Sequence, residues 1–138
     1  MREQVVGSER EENQARPGVG VDIVEVERIG SLMQRHGDRF LKKVFTEAEI
    51  AYAAGRRRGV ESLAGRFAAK EAFMKAVGRR LPWRDIEVAM RGSVPSIRFG
   101  GKTYGGVSLS HERAYAVAVV VTHDPRPTTH DLAFRGVV

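Results

Sequence analysis

The amino-acid sequence predicts an α+β fold in which an antiparallel sheet packs against one long central helix. Three observations carry this. A short alternating strand opens the ordered part of the chain, three helical stretches follow it, and four further strands come last. Strands segregated from helices in this way pair antiparallel, whereas a parallel sheet needs the two to alternate along the chain. A length of 138 residues fits one such domain.

The elements follow in order. Residues 1–16 are polar, lack hydrophobic periodicity and end at Pro17-Gly18, so they are expected to form a flexible leader. The domain is expected over 17–122. Val19, Val21 and Ile23 alternate with Gly20 and Asp22, the pattern of a short strand with two unlike faces. Val26, Ile29, Leu32 and Met33 then recur at helical spacing over Val26–His36, with Glu25 and Glu27 near the positive end of the helix dipole. Thr46 followed three residues later by Glu49 is a capping box, opening a second helix that frays at Gly55.

The strongest helix is expected from Glu61 to Val77, stopped by Gly78. Strands are predicted at Asp85–Met90 and Ser96–Phe99. A last pair at Gly106–Ser110 and Ala114–Val121 is joined by His111-Glu112-Arg113 as a hairpin turn. Residues 123–138 contain two prolines and no clear period, and are expected to form a tail packed through Leu132 and Phe134.

Composition narrows the function. There is no cysteine, which rules out a disulfide framework, a thiolate metal site and a thiol nucleophile. No apolar run approaches the roughly 18 residues of a membrane span, and the first residues lack a signal peptide's apolar stretch. A cytoplasmic protein without membrane attachment is expected. The net charge is +6; the leader's three Arg and four Glu contribute −1, so residues 17–138 carry +7. That excess points to an anionic partner. Nucleic acid is not expected to be that partner: Arg56-Arg57-Arg58 reads as an exposed loop, and no aromatic residues interleave with it to stack bases.

Two carboxylates stand out. Asp22 lies in a glycine-flanked strand just before a helix, a poor place for an acid unless it has a task. Glu71 sits about 40° from Phe67 on the long helix, beside a shallow crevice expected between Ala64, Ala68 and Ala72. Its plain reading is an i,i+4 surface pair with Lys75. Its functional reading is a metal ligand, because magnesium commonly takes one or two carboxylates and completes its shell with phosphate oxygens and water. With Lys75 and Arg66 expected nearby, such a site would suit a metal–pyrophosphate complex. Lys70 falls within the apolar arc, so it either snorkels or faces a second subunit.

Arg28, Arg35, Arg39 and Lys42 fall near one stripe if the first helix continues that far, giving either a solvated face or a docking strip for an acidic partner. His111, at the end of a strand, is either structural or a donor to a phosphate. His36, His123 and His130 show no metal-ligand spacing, and no Walker-type phosphate loop occurs.

Three stretches together resemble a known family. Gly18-Val19-Gly20-Val21-Asp22-Ile23-Val24-Glu25, Gly65-Arg66-Phe67-Ala68-Ala69-Lys70-Glu71-Ala72-Phe73-Met74-Lys75-Ala76 and Val107-Ser108-Leu109-Ser110-His111 are similar, in this order, to holo-acyl-carrier-protein synthases. The resemblance runs from about Pro17 to Val121. It implies the small, homotrimeric type of 4′-phosphopantetheinyl transferase and the corresponding fold. Such enzymes move phosphopantetheine from coenzyme A to a serine of an apo-acyl carrier protein, releasing adenosine 3′,5′-bisphosphate. By the same resemblance Asp22 and Glu71 hold magnesium, Lys75 meets the coenzyme A phosphates, and Asp22, Glu71 and Lys75 form the catalytic group. Arg66, Gly78 and His111 line the cofactor, with Arg66 and His111 near its nucleotide end and contributed across the subunit boundary. Arg28, with Arg35 and Arg39, receives the acidic helix of the carrier protein.

The reaction implied is attack by a serine hydroxyl on the β-phosphate of a pyrophosphate. It would be catalysed by positioning and charge neutralisation, with Glu71 or a metal-bound water taking the proton. Two segments are shorter than the family's usual pattern, Arg79-Arg80-Leu81-Pro82 and the stretch between Ile97 and Val107. They motivate an alternative expectation, a binding module for coenzyme A or a carrier protein without turnover.

Overall fold

The computed structural model describes residues 17–123. The predicted leader, and the predicted tail apart from His123, lie outside the described residues. The element order is β1 (Gly18–Glu25), α1 (Val26–His36), α2 (Asp38–Val44), α3 (Glu47–Ala54) and α4 (Gly59–Val77). A 3-10 turn (Trp83–Asp85) then leads to β2 (Glu87–Arg91), β3 (Val94–Phe99), β4 (Lys102–Tyr104), β5 (Val107–His111) and β6 (Tyr115–Thr122).

The expected α+β class holds, but the strands form two sheets rather than one. One sheet has the order β1-β6-β5 and the other β2-β3-β4, with every pairing antiparallel. Helix α4 packs across both. Its side chains are buried from Ser62 to Lys70, and again at Ala72–Met74 and Ala76. Phe73 links it to the second sheet through edge contacts with Phe99 and Tyr104, at ring centroid distances of 5.5 and 5.0 Å.

The close approach of α4 to β1 follows from small residues on both sides. Asp22 pairs with Ala118, and Gly18, Gly20 and Val24 share its side of β1, facing the helix. A Cβ at Gly18 would overlap the Ala76 carbonyl, and one at Gly20 the Ala72 carbonyl. The crevice expected beside Ala64, Ala68 and Ala72 is therefore absent; these alanines are fully buried. The face of β1 bearing Val19, Val21 and Ile23 points outward, each of them more than half exposed.

The first helix ends where predicted, but the chain does not continue it. Gly37 adopts φ 53°, ψ −132°, a conformation that disfavours other residues, and α2 restarts at Asp38. The single stripe expected from Arg28 to Lys42 is thus broken between two helices. The capping box at Thr46 forms as read: Glu49 Oε1 accepts from Thr46 N at 2.8 Å, and Thr46 Oγ1 accepts from Glu49 N at 3.3 Å. Helix α4 starts two residues before the predicted Glu61. It ends as predicted at Gly78, left-handed at φ 78°, whose N–H donates to Met74 O at 2.9 Å. Strand β4 was not expected. His111 closes β5 opposite Ala116 rather than belonging to the turn.

Lys70 neither snorkels nor faces another subunit. Its Nζ lies 2.7 Å from Glu49 Oε1 and donates to Val44 O at 2.7 Å and Trp83 O at 3.0 Å. Glu49 Oε2 accepts from Val88 N at 2.9 Å. One buried ion pair thereby ties together α2, α3, α4 and β2. Burial pulls the Lys70 ammonium below its ordinary value of 10.5, more strongly than the Glu49 charge holds it up.

Candidate active site

Strand alternation turns Asp22 toward α4, and helical spacing brings Glu71 and Lys75 out beside it. The pairing differs from the i,i+4 contact that sequence spacing suggested. Lys75 Nζ reaches Asp22 Oδ1 at 3.2 Å and donates to Val21 O at 3.0 Å. Glu71 is held instead by Arg80, just past the Gly78 cap. Arg80 NH1 lies 3.1 Å from Oε2 and 3.4 Å from Oε1, and NH2 lies 3.3 Å from Oε1.

Partial burial raises the Asp22 carboxyl above its ordinary value. Lys75 opposes that shift by its hydrogen bond and charge, the Glu71 charge adds to it, and Arg28 opposes it. Asp22, Glu71, Lys75 and Arg28 therefore share one electrostatic neighbourhood. Among the described residues no group of three or more His, Cys, Asp or Glu side chains could hold a metal ion unaided. Two adjacent carboxylates still fit a hard cation that draws its remaining oxygens from a phosphate ligand and water.

A second feature lies elsewhere on α4. Arg66 is buried, donates to Ser62 Oγ at 2.7 Å and stacks on Tyr52 with its guanidinium carbon 4.2 Å from the ring centroid. Arg56 approaches the same ring at 3.8 Å. Burial lowers the pKa of Arg66 from its ordinary value, and its Nε has no hydrogen-bond partner. These residues, with Arg57, Arg58 and His111, line a cleft of about 460 Å³. His111 Nδ1 stands 3.3 Å from Glu61 Oε2. The arginine run read as a plain exposed loop is exposed, but it also forms one wall of this cationic cleft.

The chain does not bring its two features together. Glu71 lies five positions after Arg66, about 7.5 Å of rise and roughly 140° of rotation on an α-helix. Arg66 and His111 thus face away from Asp22, Glu71 and Lys75, which corrects the expectation that Arg66 lies beside the carboxylates. Gly78 borders the carboxylate end of α4, with open space where a side chain would stand. Arg28 is exposed on α1, its guanidinium carbon 5.8 Å from the Phe67 ring. Arg35 lies in the last turn of α1, and Arg39 on α2. Sequence reasoning gave no role to Arg80, Tyr52 or the Glu49–Lys70 pair; for Arg80 the signal was a cation two residues beyond a helix cap.

Against known proteins, residues 18–120 match the family model of the 4′-phosphopantetheinyl transferase superfamily. The chain belongs to that superfamily. It is 43% identical over 112 residues to a holo-[acyl-carrier-protein] synthase of Thermus thermophilus, covering 75% of this chain and 90% of that one. To the synthase of Koribacter versatilis it is 45% identical over 122 residues, covering 78% and 98%. Among solved structures, the synthase of Bacillus anthracis in complex with CoA (3′,5′-ADP) superposes with a TM-score of 0.68 at 36% identity, covering 78% of this chain and 96% of that one. The Helicobacter pylori synthase in complex with coenzyme A gives 0.65 at 30% identity, covering 75% and 99%. The superfamily's fold is thus the α+β arrangement described above, and no helix among the described residues is long and apolar enough to cross a membrane.

Proposed function

We propose that this chain transfers 4′-phosphopantetheine from coenzyme A to a serine of an apo-acyl carrier protein and releases adenosine 3′,5′-bisphosphate, in a magnesium-dependent reaction. The observation that carries the reading is the cluster of Asp22, Glu71 and Lys75 at one end of α4, in a chain of this superfamily. Asp22 and Glu71 would hold the cation, which when bound supplies charge neutralisation to the pyrophosphate. Lys75, already 3.2 Å from Asp22, then has a phosphate oxygen as an alternative partner and offsets the charge that develops on the departing bisphosphate. The serine oxygen forms the new bond to the β-phosphorus, the bond from that phosphorus to the bisphosphate oxygen breaks, and the serine proton is released.

The nucleotide end of coenzyme A would enter the cleft of Arg66 and His111, whose arginine wall of Arg56, Arg57 and Arg58 suits an anion. Because those residues and Asp22 lie on different sides of α4, one complete site takes residues from two copies. We assign the assembly as a homotrimer. In support, the outward face of β1 and β6 exposes Val19, Val21, Ile23, Tyr115 and Val119, an apolar patch of the kind that marks an interface. Arg28, near Asp22, with Arg35 and Arg39 further along, forms the docking surface for the acidic carrier protein. Residues 17–122 form the catalytic domain, and the setting is cytoplasmic fatty acid biosynthesis.

The test is release of adenosine bisphosphate when the purified chain meets apo-carrier protein, coenzyme A and magnesium, compared with the same mixture in excess chelator. Release only in the presence of the metal supports the reading. Binding without release would favour a non-catalytic module.

A further inference from the structure

Two carboxylate–cation pairs stand side by side at the end of α4, and they are not equivalent. Lys75 engages a single oxygen of Asp22 and is tethered to Val21 O as well. Arg80 engages both oxygens of Glu71. The four formal charges sum to zero. Glu71 cannot accept a divalent cation while a guanidinium covers both of its oxygens, whereas Asp22 retains a second oxygen.

A cation arriving alone must therefore displace Arg80, and the four groups together with the cation then sum to +2. A pyrophosphate arriving alone meets two carboxylates. Arriving together, they allow partners to exchange: the carboxylates turn to the cation, and the freed guanidinium turns to phosphate oxygens, for which its planar fork is well matched. Arg80 is placed for such a move. Its side chain is half exposed, it lies in the short segment after Gly78, and it rests over Trp83 with 5.5 Å between guanidinium carbon and ring centroid.

We propose that Arg80 is an exchangeable counter-ion, occupying Glu71 in the free protein and moving onto the pyrophosphate when cation and coenzyme A bind together. This rests on the function proposed above. The consequence is coupling: each ligand raises the affinity for the other, and by linkage the factor is the same in both directions. Arg80 also sets the sign of its own substitution. Without it the cation alone binds more tightly, while coenzyme A gains less from the cation's presence.

The experiment measures Mn2+ binding by electron paramagnetic resonance, with and without coenzyme A, for the wild type, Arg80→Gln and Arg80→Lys. The expected result is that Arg80→Gln binds Mn2+ alone about fivefold more tightly than wild type, as loss of one partly exposed ion-pair competitor implies. Coenzyme A should tighten Mn2+ by a larger factor in the wild type than in Arg80→Gln. Arg80→Lys, which keeps the charge but can reach only one oxygen at a time, should fall between them. Trp83 is the only tryptophan in the chain, so departure of Arg80 from its ring should change emission when Mn2+ and coenzyme A are added together. Arg80→Gln should show no such change. Equal Mn2+ affinities and equal coupling in wild type and Arg80→Gln would overturn the role of Arg80 while leaving the proposed function standing. Failure of the wild type to bind Mn2+ and coenzyme A at all would overturn both.

Discussion

Lys70→Met is expected to cost far more stability than removing the whole ion pair. In the native chain Lys70 Nζ has three oxygen partners within 3.0 Å, Glu49 Oε1, Val44 O and Trp83 O, and its side chain has no solvent exposure. Methionine preserves most of the packed volume but leaves the Glu49 carboxylate buried without its cation. Removing one partner of a buried pair costs about 3–5 kcal/mol. A middle value of about 4 kcal/mol is a large share of the roughly 5–15 kcal/mol available to a domain. For a domain near this size it corresponds to a fall in Tm of roughly 20 °C.

Glu49→Gln combined with Lys70→Met removes both charges and keeps an acceptor for the Val88 N–H. That double variant should recover about 2–3 kcal/mol relative to the single one. The lowered pKa of Lys70 points the same way, since its burial outweighs its attraction to Glu49. A lysine whose pKa is lower folded than unfolded gives up its proton first in the folded state. Between that lowered value and 10.5 the unfolded chain binds more protons, so the wild type gains on Lys70→Met as pH rises through this window. Urea unfolding followed by circular dichroism, at neutral and alkaline pH, measures all three. A single variant losing under about 1 kcal/mol, or a double variant no better than the single, would refute the buried-pair account.

Gly20→Ala should destabilise by about 1–3 kcal/mol, because its Cβ would overlap the Ala72 carbonyl and force β1 off α4; the same urea titration reads it. Arg66→Gln should raise KM for coenzyme A about tenfold with little change in kcat, as loss of binding shared by ground and transition states requires. Steady-state kinetics separates the two parameters. Val21→Glu places a charge on the outward face of β1, which is more than half exposed in one copy. Light scattering should show it as a monomer, and activity should fall with the assembly.

Much of this was legible in the sequence because it depends on neighbours along the chain. The alternation of β1, the Thr46–Glu49 capping box and the Gly78 stop are all local patterns, and each forms as read. What stayed hidden depends on partners far apart. Glu71 pairs with Arg80 across a left-handed cap, where helical spacing no longer applies, and Lys75 reaches a strand residue 53 positions earlier. Lys70 looked misplaced in an apolar arc because Glu49, 21 residues away, is invisible to periodicity. The three residues of β4 are too few to show an alternation, and the division into two sheets has no signature along the chain.

Of the candidate site, the motifs named Asp22, Glu71 and Lys75, but the residues alone also allowed an ordinary surface pair. The structure replaces the Glu71–Lys75 pair with two others, Lys75 with Asp22 and Arg80 with Glu71. Arg66 and His111 were named as well, and only the helix geometry separates them from the carboxylates.

The most direct test of the central claim is the intact mass of an apo-carrier protein incubated with coenzyme A, magnesium and this chain. The carrier should gain one phosphopantetheine on its serine with wild type and none with Glu71→Ala, which should keep the wild-type fold by circular dichroism. An unmodified carrier with the wild type, or full modification with Glu71→Ala, would contradict it.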